Sequence, residues 1–179
     1  MNKLIAIGGG EIGRPGYSME TLPIDRETIK LSGKKHPKLL FVPTASKDAH
    51  DYIETVKNYF GKKLGCKVDV LLTVGVKPAI VLIKEKILKA DIIYVGGGNT
   101  LYMMNTWKKL GIDKILTQAY EKGTVMSGVS AGAICWFKYG TSDSRMITNP
   151  EYKDYIRVSG LGWYPLILSP HHIREKKRK

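Results

Sequence analysis

Apolar positions along this chain follow two periods, and the two alternate. Short, nearly continuous apolar runs at residues 3–7, 38–42, 66–72 and 90–95 predict buried strands. The segments between them carry apolar residues at helical spacing. In 47–64 these are Tyr52, Ile53, Val56, Tyr59 and Phe60, and Gly65 stops the predicted helix. Residues 23–31 predict another helix, with Pro23 in its first turn and Ser32-Gly33 after its end. Residues 78–89, 101–110 and 113–122 predict three more, the last closed by Gly123. Strand alternating with helix predicts a parallel α/β sheet with helices on both faces.

Functional groups in such sheets collect at the C-terminal ends of strands. Three predicted strands run directly into glycine. The first gives Gly8-Gly9-Gly10-Glu11, another gives Gly96-Gly97-Gly98-Asn99, and the run from Thr124 gives Gly128-Val129-Ser130-Ala131-Gly132. The last reads as strand, tight turn and helix, the G-x-S-x-G nucleophile elbow. Alone, that pentapeptide describes an ordinary strand-to-helix turn equally well. The Gly8 turn superficially matches a phosphate-binding fingerprint. Arg14-Pro15-Gly16 intervenes before any helix, so close packing beside a cleft is expected there and a dinucleotide site is not.

Composition narrows the class. With 179 residues, 43% hydrophobic and 25% charged, residues 1–179 read as one ordinary globular domain. No apolar run approaches the ~20 residues that cross a membrane, and the N-terminal run is too short for a signal-peptide core. Cys66 and Cys135 match no metal spacing and read as buried thiols of a reduced, cytoplasmic protein. No metal or organic cofactor is expected. Net charge is +13, and the basic stretch 174–179, expected to be a disordered tail, supplies +4 of it (five basic minus one acidic). The remainder is spread along the chain, with no basic stripe of a nucleic-acid-binding module. A positive field of this kind draws anionic small substrates.

A serine hydroxyl needs a base, a group that orients the base, and donors for an oxyanion. Of the four histidines, His36 and His50 read as surface residues. His171 and His172 follow the strand-like run 166–170, which puts a candidate base at another strand end; an exposed histidine pair is the competing reading. Asp143, 13 residues after Ser130, is the candidate acid, with Glu151 and Asp154 as rivals. The backbone N–H of Ala131, at the start of a helix, is one oxyanion donor. Gly97 or Gly98 supplies the second, with Asn99 beside them as a substrate-binding candidate. Cys135 falls inside the helix after the elbow, which argues against a cysteine nucleophile.

Three separated motifs then occur in order: 92–100 with Gly96-Gly97-Gly98-Asn99, 128–137 followed by Ser142-Asp143-Ser144, and Ser169-Pro170-His171. Together they resemble the dipeptidase E family of serine peptidases (peptidase family S51), which includes the cyanophycinases. The resemblance implies a three-layer α/β sandwich with a mostly parallel sheet, related to class I glutamine amidotransferases and Rossmann-like, with serine replacing the cysteine nucleophile. It implies cleavage of small peptides after an N-terminal aspartate, or of a related β-aspartyl polymer. By motif, Ser130 is the nucleophile, His171 rather than His172 the base, and Asp143 the acid. Family members run on for several tens of residues past the histidine, whereas this sequence ends eight residues after His171. A C-terminally shortened fold is therefore expected, with an open sheet edge that invites homodimers. Two alternatives stand beside the peptidase: a family-fold protein inactive for want of support around His171, and an esterase sharing the order Ser, Asp, His. The 41 residues from Ser130 to His171 are few for an esterase of the α/β-hydrolase type.

Overall fold

The structure is a computed structural model that describes residues 2–76 and 78–173; the basic stretch 174–179 lies outside the described residues. Five strands form a parallel sheet: β1 (Lys3–Ile7), β2 (Lys38–Val42), β3 (Lys67–Val70), β4 (Ile92–Val95) and β5 (Val125–Val129), in the order β1-β5-β4-β2-β3. All four pairings are parallel. Successive residues of the central strands face opposite sides, and both sides are buried. Leu39, Phe41, Ile92 and Tyr94 pack on one face with Ile53, Val56 and Phe60. Leu40, Val42, Ile93 and Val95 pack on the other with Met103, Trp107 and Leu116. A strand buried on both faces has no polar alternation, which is why these strands appear in the sequence as unbroken apolar runs.

Helices cover both faces and make three layers. On one side lie α1 (Leu22–Leu31) and α2 (His50–Val56), and α2 continues into π-helical turns over Lys57–Lys63. On the other lie α3 (Ile80–Lys89), α4 (Thr100–Leu110) and α5 (Ile112–Glu121). The helix expected over 47–64 starts three residues late. Thr44–Ser46 forms a 3₁₀ turn, and Lys47 and Asp48 both take φ 55° before α2 begins.

The elbow helix is also shorter than expected: α6 spans only Ala131–Ile134. The chain then extends again as β6 (Phe137–Ser142), turns through α7 (Ser144–Thr148), and forms β7 (Ile156–Ser159) and β8 (Tyr164–Leu168). These strands make a second sheet in the order β7-β6-β8, antiparallel on one side of β6 and parallel on the other. An aromatic stack docks this sheet on the first unit. Trp163 lies parallel to Tyr120 of α5 at 4.3 Å and against Trp136 at 5.0 Å. Its indole N–H donates to Thr117 Oγ1 at 3.2 Å, and the Tyr120 and Tyr164 hydroxyls are 2.7 Å apart.

One buried carboxyl lies between α1 and the π-helical turns. Asp25 is fully buried, and its Oδ2 accepts from Thr21 Oγ1 (2.6 Å) and Tyr59 Oη (2.8 Å), while its Oδ1 has no hydrogen-bond partner. Burial pushes this carboxyl above its ordinary range, and the two hydroxyl donors offset part of that. A raised native pKa means that Asp25 contributes most stability below its unfolded value of about 3.9 and loses that contribution as pH rises through its native value. Asp25→Asn keeps an acceptor for both hydroxyls without the charge. Its melting temperature is expected to fall less than the parent's between about pH 4 and pH 7. Equal pH slopes in thermal melts of the two proteins would refute this account.

Candidate active site

The turn after β5 is built by glycines that could not carry a side chain. A Cβ on Gly128 would lie 2.3 Å from the Gly132 carbonyl oxygen, and one on Gly132 would lie 2.1 Å from the Val95 oxygen at the end of β4. Ser130, between them, takes φ 54° and ψ −109°, a left-handed φ that few residues other than glycine adopt. The Ser130 N–H donates to Ile7 O at 2.9 Å, which ties the elbow to the end of β1. The chain therefore crosses the C-terminal ends of β1, β4 and β5 with the serine hydroxyl raised above them.

His171 reaches that hydroxyl from the second sheet. It follows β8 and Pro170, takes φ 56°, and its N–H donates to Gly8 O at 2.9 Å. Its ring lies directly over Gly9, where a Cβ would be 2.5 Å from Nδ1 and 2.7 Å from Cε1. Held in this way, His171 Nε2 stands 2.9 Å from Ser130 Oγ. The glycine turn after β1 is thus the seat of the histidine, a more specific role than the close packing read from the sequence. His36, His50 and His172 are exposed.

The remaining candidates divide. Gly97 backs directly on the serine: a Cβ there would be 3.5 Å from Ser130 Cβ, and its N–H points to Tyr52 Oη at 3.4 Å. Ala131 opens α6, where backbone N–H groups lack an intrahelical acceptor. Gly98 takes φ 136° and presses on the 3₁₀ turn, where a Cβ would be 2.3 Å from Ala45 O. Asn99 does not face the cleft as a binding group. It is the N-cap of α4: its Oδ1 accepts from Tyr102 N at 2.9 Å and its Nδ2 donates to Ser144 O at 2.9 Å. Asp143, half-buried, is the N-cap position of α7. The parallel pairing Gly140↔Leu168 does set the end of β6, which leads to Asp143, beside the end of β8, which leads to His171. Glu151 and Asp154 are exposed in the connection between α7 and β7.

Ser130 and His171 open onto a cleft of about 1220 Å³. Its walls include Glu11, Arg14, Tyr17, Tyr52, Tyr59 and Lys63. Glu11 and Arg14 form an ion pair, and the Arg14 guanidinium lies 4.9 Å over the Tyr17 ring. Nothing in the sequence pattern pointed to Arg14, because residues 8–19 have no period. Among the described residues, no three potential metal ligands gather, and no helix is long and apolar enough to cross a membrane.

Fold and site together define a class: an α/β protein that presents a serine on a strained elbow, with a histidine in hydrogen-bonding reach, at the C-terminal ends of a parallel sheet. The family model for Peptidase family S51 matches residues 4–179, and the chain belongs to that family of peptidases. It is 37% identical over 181 residues to the uncharacterized peptidase YgaJ of Bacillus subtilis (strain 168), covering all of this chain and 72% of that protein. It is 32% identical over 88 residues to Peptidase E of Salmonella arizonae, covering 49% of this chain and 36% of that one. Among solved structures, a peptidase from an acI-B1 Actinobacterium superposes with a TM-score of 0.65 at 20% identity, over 89% of this chain and 63% of that one. That likeness is one of fold.

Proposed function

We propose that this protein is a serine exopeptidase acting on small peptides, with preference for an N-terminal aspartate. The observation that carries the reading is the 2.9 Å approach of His171 Nε2 to the hydroxyl of a serine held at positive φ. Ser130 Oγ attacks the peptide carbonyl carbon as its proton passes to His171 Nε2. The carbonyl π pair moves to oxygen, which takes hydrogen bonds from the backbone N–H groups of Gly97 and Ala131. When the tetrahedral intermediate collapses, the C–N bond breaks and His171 returns the proton to the leaving amine. A water molecule then repeats the sequence on the acyl-serine, giving the acid and restoring Ser130. The Gly8 carbonyl and the Gly9 surface orient His171, and Asp143 is the carboxylate proposed to favour the imidazolium. Positive net charge draws acidic peptides to the cleft.

Peptide hydrolysis tests the substrate class. Asp-Leu is expected to be cleaved with kcat/KM at least about tenfold above Ala-Leu, a difference of about 1.4 kcal/mol in transition-state binding. Equal rates on the two dipeptides would remove the aspartate preference. Turnover of p-nitrophenyl esters with no cleavage of any peptide would make the protein an esterase.

A further inference from the structure

Tyr52 stands in the cleft wall on α2, and its phenol oxygen accepts the Gly97 N–H at 3.4 Å. Gly97 is the residue that backs on Ser130. The Tyr52 ring is fixed on two sides. Phe41 meets it edge to face, with centroids 5.1 Å apart, and a Cβ on Gly96 would lie 2.9 Å from its Cε1. Among the described residues, the phenol's own proton goes to no acceptor. An O–H donor is therefore held in the cleft wall against Gly97.

We propose that Tyr52 is a catalytic residue whose O–H donates a third hydrogen bond to the oxyanion formed when Ser130 attacks the peptide carbonyl. This rests on the serine peptidase reading above. At 3.4 Å the resting contact with Gly97 is at the long edge of hydrogen-bonding geometry. An oxygen seated on the Gly97 N–H at about 2.9 Å comes within reach of the phenol as well. Both bonds strengthen as the oxygen becomes negative, so they favour the transition state over the bound substrate. Burial pushes the phenol up to about 12, against a smaller opposing pull from the Gly97 N–H, so Tyr52 keeps its proton at neutral pH. It acts as a donor throughout, and no proton leaves it.

Tyr52→Phe keeps the ring and its edge contact with Phe41 while deleting the donor. On Asp p-nitroanilide its kcat is expected to fall about 10²-fold, with KM within about threefold of the parent. Phosphonylation of Ser130 by a fluorophosphonate should slow in parallel, because the phosphonyl oxygen takes the same donors. Parent-like kcat and labelling rate in Tyr52→Phe would overturn the role of Tyr52 and leave the serine mechanism standing. A parent protein that neither labels at Ser130 nor cleaves peptide would overturn both. Phe41→Leu loosens the packing of Tyr52 but keeps its hydroxyl. If that variant loses as much activity as Tyr52→Phe, packing and not hydrogen bonding explains the effect, and the proposal fails.

Discussion

Ser130→Ala is expected to lower kcat for peptide hydrolysis by about 10⁶-fold and to abolish fluorophosphonate labelling. The size of the effect follows from how the residue is used. Removing Oγ removes the atom that bonds to the carbonyl carbon, so His171 is left with no hydroxyl to deprotonate, and the Gly97 and Ala131 donors contribute only what they give to attack by water. Alanine also fits the elbow. Only the hydroxyl group is lost, and the glycines that require close approach, Gly128 and Gly132, are untouched. The strain at φ 54° is the same for both residues. The melting temperature should therefore stay close to the parent's, separating lost chemistry from lost fold. Retained peptide hydrolysis in a folded Ser130→Ala protein would end the nucleophile assignment.

Gly9→Ala is expected to lower kcat by about 10³-fold, within the range that a general base contributes. The added methyl would lie 2.5 Å from His171 Nδ1 and 2.7 Å from Cε1, closer than any van der Waals contact allows. Gly9 has no left-handed φ, so its backbone accepts alanine and the whole conflict falls on the imidazole. The ring must swing away, and the 2.9 Å bond to Ser130 cannot survive that movement. A displacement of about 1 Å at a reacting group already costs about 10²-fold. Gly8→Ala provides the comparison, because a Cβ at that position meets nothing within 4 Å. Steady-state rates of the two variants on Asp p-nitroanilide check the argument, and a ratio near unity between them would refute it.

The first sheet was legible because burial on both faces makes its strands unbroken apolar runs. The segments read at 3–7 and 38–42 coincide with β1 and β2. The second sheet was not legible. The apolar run continues past the end of α6 through Cys135, Trp136 and Phe137, and a glycine at 140 is uncharacteristic of a strand interior. Gly140 in fact lies inside β6, where a Cβ would be 2.5 Å from Ile134 Cγ2. Pairing with β7 and β8 makes that segment a strand, and no local period announces it. Alternation of Ile156 and Val158 with Arg157 and Ser159 is the one period-two signal in this region, and it coincides with β7. Within the site, Ser130 and His171 were visible as chemistry placed at strand ends. Tyr52 was hidden because it falls in the same helical spacing as the core residues Ile53 and Val56. Asn99 carries a second, local signature: an asparagine directly before a helix is a cap, as its bond from Tyr102 N shows.

Nucleophile and base ride on separate mechanical parts. Ser130 is fixed to the five-stranded sheet, while His171 hangs from the end of β8 in the smaller one. The Tyr120–Trp163–Trp136 stack joins these parts on the α5 side and acts as a fulcrum. The strand from Tyr164 to Leu168 is the lever arm, and the Gly8–Gly9 turn is the stop against which its tip rests. Stiffness along that arm governs how steadily the proton-transfer distance is kept.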